Sequence, residues 1–199
     1  MKITVISEEM VSTSSWSGGI SKQYYIYPPE SSYAARDFKF RLSMATSSAE
    51  EEAAYSHLEN ITRHLVMLEG TAHVFHKGHY DLVMQPYKEI DIFDGGWESS
   101  GSGKVTDFNL MLGKGASGKM SVVENDASAT VGAVCDSCNK ACSVTAFLCG
   151  CGSASFEFST GEHFALIQGE LLLLEEIKAE SVVNISLTDA KLVRMDICL

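Results

Sequence analysis

The chain has 199 residues, 26 acidic against 15 basic side chains, and a formal net charge of −11. With a pI near 4.9, this excludes a nucleic-acid-tracking surface, which needs clustered Lys and Arg. It also disfavours docking on an anionic membrane. The length suits one domain or two fused halves, each able to bury a core.

The N-terminal run Met1-Lys-Ile-Thr-Val-Ile-Ser-Glu-Glu reads as a first strand, Lys2 to Ile6. Its apolar stretch is too short, and its acidic pair too early, for a signal peptide. The longest leucine block, Leu171 to Leu174, falls far short of a membrane span. A cytoplasmic protein is expected, and there the six cysteines should be thiols or metal ligands instead of disulfides.

Val11 to Gly19 is a Ser/Gly loop holding Trp16, and Gln23 to Tyr27 is a β-prone run halted by Pro28-Pro29. In Phe38-Lys-Phe-Arg-Leu-Ser-Met44, Phe38, Phe40, Leu42 and Met44 share one face while Lys39, Arg41 and Ser43 share the other. That strict alternation predicts a strand with two chemically different sides. An arginine so placed faces either water or a cavity that needs a cation. Ser48-Ala-Glu-Glu51 has the form of a capping box, which predicts a turn or two of helix between Glu50 and His57. Arg63 to Leu68 is a second β-like run. Thr71 to Lys77 follows it, and with the turn at Gly78 reads as a hairpin that brings three strands close together.

Tyr80 to Gln85 and Glu89 to Phe93 continue in strand character, the latter stopping at Asp94-Gly95-Gly96. Val105 to Leu112 is a further strand. Gly113 to Gly118 is the best internal boundary, dividing an N-terminal half, 1–112, from a C-terminal half, 113–199. Met120 to Val123, Ala129 to Val134, Ala146 to Leu148, Ala154 to Phe158, Phe164 to Ile167, Leu171 to Leu174 and Lys191 to Leu199 complete the series. Many short strands with Gly turns and almost no helical period predict an all-β sandwich or barrel. The doubled rhythm suggests two stacked barrels.

Six segments follow one another in a distinctive order: Trp16-Ser-Gly-Gly19, Phe40-Arg-Leu-Ser-Met-Ala45, Tyr55-Ser56, Arg63 to Gly70, Phe93-Asp-Gly95 and Asp107-Phe-Asn-Leu-Met111. Their order resembles the HutD/Ves family of bacterial cupin-type proteins. The matching segments run from about residue 11 to 115 on the chain; beyond them only the strand rhythm agrees. The resemblance implies a cupin (RmlC-like jelly roll) and, with the doubled rhythm, a bicupin. It places Arg41 and Ser43 in the most distinctive motif.

Trp16, Arg41, Ser43, Arg63 and His64 are therefore candidate ligand-binding residues. An arginine fork binds a carboxylate bidentately, and an aromatic wall desolvates the site. The competing reading is a solvated face with a structural salt bridge, and Arg63 could equally brace the connector. The resemblance implies a non-catalytic protein that binds a small anionic metabolite, a carboxylate of histidine degradation or of a stress response, with no cofactor. The rival is a metal-dependent isomerase or oxygenase using His73 or His76. A third class is an interaction protein whose acidic surface docks a basic partner. Homodimerisation stays open.

His73 and His76 point to opposite faces of a strand, His79 lies past a turn, and no His-x-His is present, so no metal is expected among them. Cys135-x2-Cys138, with Cys149-x-Cys151 on one strand face, offers four thiols to zinc if the intervening chain folds back. The alternative is exposed loop thiols and a strand with small buried ones. Asp107 and Asn109 share a strand face. Acid/base chemistry there would need a partner with a shifted pKa, and the resemblance implies a packing or turn-bracing role instead.

Overall fold

The computed structural model describes residues 1–135 and 138–199. Regular structure among them is almost all β, nineteen strands with one short 3-10 turn at Glu8–Met10. The chain forms two units, Val11–Gly115 and Met1–Met10 with Ala116–Leu199. One break thus falls inside the predicted Gly113 to Gly118 linker. The first ten residues, however, belong to the C-terminal unit and not to the N-terminal half. The cause is β1 (Lys2–Ile6), which adds antiparallel to the leucine-rich strand, with Ile3 opposite Leu174 and Val5 opposite Leu172. Lys2 Nζ closes the pair on Glu175 Oε2 at 3.0 Å.

The Val11–Gly115 unit opens with β2 (Ser12–Trp16), β3 (Gly19–Tyr27), β4 (Phe40–Ser47) and the two-residue β5 (Ala53–Ala54). It continues with β6 (Thr62–Glu69), β7 (Ala72–His76), β8 (Tyr80–Met84), β9 (Ile90–Asp94), β10 (Ser99–Ser102) and β11 (Val105–Leu112). Six of these form a sheet in the order β2-β3-β4-β11-β6-β9, and four form a second, β5-β10-β7-β8. Leu65 and Met67 from the first sheet pack with Ala72, Val74 and Met84 from the second, so the two sheets share a core.

Two expectations change here. The Gly78 turn does join a hairpin, β7 with β8, but β6 lies in the other sheet, so Glu69-Gly70 turns a corner between layers. The Ser48 capping box forms no helix. Ser48 N–H donates to Gly18 O and Tyr55 N–H to Ser99 O. These backbone donors thus find partners in the β2–β3 turn and in β10 in place of helical ones, an instance of tertiary pairing overriding local propensity.

The other unit adds β12 (Ser117–Val123), β13 (Ala127–Val131), β14 (Val134–Cys135), β15 (Lys140–Ala141), β16 (Val144–Phe158), β17 (His163–Ile167), β18 (Leu171–Glu175) and β19 (Ser181–Cys198). The long pair β16 and β19 is its spine, flanked by β1-β18 on one side and β12 on the other, with β13 and β17 added to the far ends. Register shifts at Cys149/Cys151 and Cys151/Ser153 interrupt the pair, bulges that bend a strand. Gly152 permits the bend: its φ is +67°, and a Cβ there would stand 2.3 Å from Asp189 O. Phe147, Phe156, Phe158, Leu172, Val183 and Leu192 are among the buried core.

Candidate functional site

On β4 the alternation Phe40-Arg41-Leu42-Ser43 sends two large apolar side chains one way and two polar ones the other. All four are buried. The neighbouring strands continue the polar face. In the ladders of β11 with β4 and β6, Met111 stands opposite both Arg41 and Arg63, and Asn109 opposite both Ser43 and Leu65. Strand alternation therefore aims Arg41, Ser43, Arg63, Asp107, Asn109 and Met111 to one side.

They line a cavity of about 430 Å³ together with Ser14 and Trp16 of β2, Ser21 of β3, Tyr33, the Ala53–Ser56 segment and Gly101–Gly103. That volume lies within the usual range for small-molecule sites. Six serines and three aromatic side chains, Trp16, Tyr33 and Tyr55, give a wall of hydroxyls and ring faces.

Arg41 is 6% exposed and Arg63 is 7% exposed. Arg41 Nε donates to Gln23 Oε1 at 2.8 Å and Nη1 to Ser43 Oγ at 2.7 Å. Its guanidinium carbon lies 4.4 Å from the Tyr33 ring centroid. Arg63 Nε donates to Asn109 Oδ1 at 3.3 Å, with its guanidinium carbon over Tyr55 at 5.2 Å and Phe93 at 5.0 Å. Among the described residues, neither guanidinium is ion-paired with a carboxylate. Among the described residues, no hydrogen bond uses Arg41 Nη2 or the terminal nitrogens of Arg63.

Burial lowers Arg41 to about 10, with the Arg63 and Arg36 charges adding to the effect against Tyr33. Burial also lowers Arg63, which Tyr55 and Asp107 oppose. Both remain protonated at neutral pH. Burial pushes the Asp107 carboxyl up to about 6, although Arg63 and the Asn109 amide pull it down. Asn109 Nδ2 reaches Asp107 Oδ1 at 3.5 Å.

Four of the five candidate ligand residues, Trp16, Arg41, Ser43 and Arg63, thus line one cavity. His64 does not. It follows Arg63 on β6 and so faces the opposite side, buried, with Nδ1 lacking a hydrogen-bond partner among the described residues. Burial lowers its pKa to about 4, so it is neutral at physiological pH. Asp107 and Asn109, expected as packing or bracing residues, stand in the cavity wall beside Arg63. Their shared strand face was the available signal. Tyr33, from the loop after Pro28-Pro29, carried none.

The histidines lie elsewhere. His73 is exposed while His76 is buried, so the two face apart and cannot share a metal. His76 Nδ1 meets Ser99 Oγ at 2.7 Å and its Nε2 meets Asp91 Oδ2 at 2.8 Å, while Tyr80 Oη donates to Asp91 Oδ1 at 2.7 Å. None of these residues lines the cavity, and the network ties four strands, β7, β8, β9 and β10, together. His79 stacks on Trp97 at 3.6 Å.

The proposed thiol set is also rearranged. Two steps on β16 from Cys149 to Cys151 match one step on β19, from Leu192 to Lys191, and this bulge breaks the shared face. Cys149 Sγ donates to Cys151 O at 3.3 Å and Cys151 Sγ lies 3.8 Å from Asp189 O. Cys135 and Cys138 instead meet Cys198, with Cys142 alongside.

No helix among the described residues is long and apolar enough to cross a membrane. The fold resembles a conserved protein of unknown function from Pseudomonas aeruginosa PAO1, at TM-score 0.84 and 14% identity over 100% of both chains. It also resembles HutD from Pseudomonas fluorescens SBW25, from a formate condition, at TM-score 0.78 and 14% identity over 98% of each chain. A bacterial pirin from Escherichia coli in complex with nickel(II) gives TM-score 0.64 and 9% identity over 98% of each chain. At these identities the likeness is one of fold, the all-β cupin fold. No curated protein matches the sequence. The HutD family matches residues 8–191, nearly the full length, and the chain belongs to that family.

Proposed function

We propose that the Val11–Gly115 unit binds a small carboxylate metabolite without turning it over. One observation carries this reading: two buried guanidiniums, Arg41 and Arg63, share a cavity wall and neither has a carboxylate partner among the described residues. A desolvated cation needs an anion from the protein or from a ligand. Arg41 Nη2 and the terminal nitrogens of Arg63 are the donors a carboxylate would take. Tyr33 and Tyr55 supply the ring faces against which a short carbon chain packs.

Membership of the HutD family supports a ligand of histidine degradation, such as formiminoglutamate or urocanate, and a cytoplasmic setting. The two all-β units support a chain built as two cupin-like halves. Calorimetric titration of the wild type with formiminoglutamate, urocanate and glutamate tests the binding reading. Binding of at least one, with the ligand recovered unchanged by NMR, is the expected result. Failure of every carboxylate to bind would refute the reading, and conversion of a bound ligand would replace it with an enzymatic one.

A further inference from the structure

In the Met1–Met10 and Ala116–Leu199 unit, β14 and β15 pair through two residues each, Val134 with Ala141 and Cys135 with Lys140. A two-stranded ribbon is marginal in water without further support. Its side chains supply little, since Val134 is 54% exposed and Lys140 and Ala141 are exposed as well. What is buried beside it is sulfur. Cys135, Cys142 and Cys198 pack into one cluster, with the half-buried Cys138 against it, and no disulfide joins any of them.

The Sγ atoms of Cys135, Cys138 and Cys198 all lie within 4.8 Å of one another, and Cys142 Sγ is 3.3 Å from Cys198 Sγ. Around a tetrahedral zinc with Zn–S bonds of about 2.3 Å, sulfurs stand about 3.8 Å apart. The sulfurs of Cys135, Cys138 and Cys198 are thus close enough to share one ion, and Cys142, outside that trio but with its sulfur against that of Cys198, is the candidate for the fourth place.

The backbone holds the ligands in place. Cys138 N–H and Asn139 N–H both donate to Cys135 O, at 3.3 and 2.8 Å, with Asn139 at φ 53°. These two bonds to one carbonyl hold Cys135 and Cys138, a Cys-x2-Cys pair, close together, the spacing common to structural zinc sites. Cys142 N–H donates to Ala133 O at 3.0 Å. Cys198 comes from the sheet itself, opposite Ser117 of β12.

We propose that Cys135, Cys138, Cys142 and Cys198 form a tetrathiolate site for structural zinc that pins the β14–β15 ribbon to the end of β19. Four protein ligands leave no open position, the arrangement of a structural and not a catalytic site. A disulfide between Cys142 and Cys198 would leave Cys135 and Cys138 outside it, whereas a zinc ion takes all four thiols. Cys138, the most exposed of the four, gives the ion a way in. The site is independent of the carboxylate cavity, which belongs to the other unit.

The untagged full chain, purified under reducing conditions without chelator, should carry one zinc by elemental analysis. Cys135→Ser and Cys198→Ser should lose it, and Cys149→Ser and Cys151→Ser should keep it. Chelator treatment should lower the melting temperature of the wild type. Since a Cys198 variant could misfold, cobalt(II) titration of the demetallated wild type provides a second measure. It should saturate at one equivalent with intense sulfur-to-metal charge-transfer absorption. The proposal fails if reduced protein takes up no zinc at equimolar metal, if zinc leaves on Cys149 or Cys151 substitution while persisting in Cys135→Ser, or if the bound species is an iron–sulfur cluster.

Discussion

Arg63 and Asn109 meet diagonally across the β6–β11 ladder, Nε to Oδ1 at 3.3 Å. The amide nitrogen of the same asparagine points to Asp107 Oδ1 at 3.5 Å. Asn109 thus stands between a cation and an acid that would otherwise pair, and leaves the terminal nitrogens of Arg63 to the cavity. Asn109→Asp would put a carboxylate on Arg63. Carboxylate affinity should then fall at least tenfold, about 1.4 kcal/mol, with the melting temperature held or raised. Calorimetry beside a thermal melt checks this, and unchanged affinity would show that Arg63 takes no part.

Arg41 offers a different test, because its protein partners are neutral: Gln23, Ser43 and the Met111 sulfur. Removing a charged hydrogen-bond partner from a desolvated site costs about 2–5 kcal/mol of binding. Arg41→Met should therefore weaken a carboxylate by tenfold or more. Folding should be little affected, since exchanging an unpaired buried charge for an apolar side chain of similar length is often neutral. A sharp fall in melting temperature with unaltered affinity would assign Arg41 to structure instead.

The β4 face was legible because its alternation is local: Phe40, Arg41, Leu42 and Ser43 declare two sides within four residues. The same rule, applied one residue on from Arg63, excludes His64 from the cavity, and grouping the two as a pair was the error. Asp107 and Asn109 were visible as one face, but their role depends on β11 lying between β4 and β6. That pairing joins segments tens of residues apart and has no local signature. Cys198 is the extreme case, brought to Cys142 across the chain by the β19–β12 register and the Ser143 N–H to Ile197 O bond. Cys149 and Cys151 looked equivalent only as long as no bulge separated them.

Tyr55 rests on the backbone of Gly101, where an added Cβ would lie 2.3 Å from its hydroxyl. Both residues line the cavity, and the Tyr55 ring packs against Arg63. Gly101→Ala should displace the ring and weaken carboxylate binding several-fold. The β7–β10 pairing runs through backbone atoms and should persist, so the melting temperature should shift by only a few degrees, roughly 1 kcal/mol at this size. Loss of cooperative unfolding would instead make Gly101 a folding requirement.

Asp107 sets the pH dependence. Burial raises its pKa to about 6, above the unfolded value of about 3.9. For an acid shifted upward, the stability contribution is full below the unfolded pKa and is lost as pH rises through the folded one. Between about pH 4 and 6 the native state binds more protons at this site than the unfolded chain, so ionising Asp107 destabilises the fold. The same proton governs the cavity. Below about pH 6 the neutral carboxyl leaves both guanidinium charges to an incoming anion and can itself donate a hydrogen bond. Above it, the carboxylate repels that anion and competes for Arg63. Carboxylate affinity should therefore fall as pH rises from 5 to 7.5, with proton uptake on binding near pH 6. Asp107→Asn keeps the shape, removes the titration and should flatten the profile at the tighter, low-pH affinity, while gaining stability over the wild type at neutral pH. Titrations in two buffers of different ionisation enthalpy measure the proton directly. Equal pH profiles for wild type and Asp107→Asn would remove Asp107 from the site.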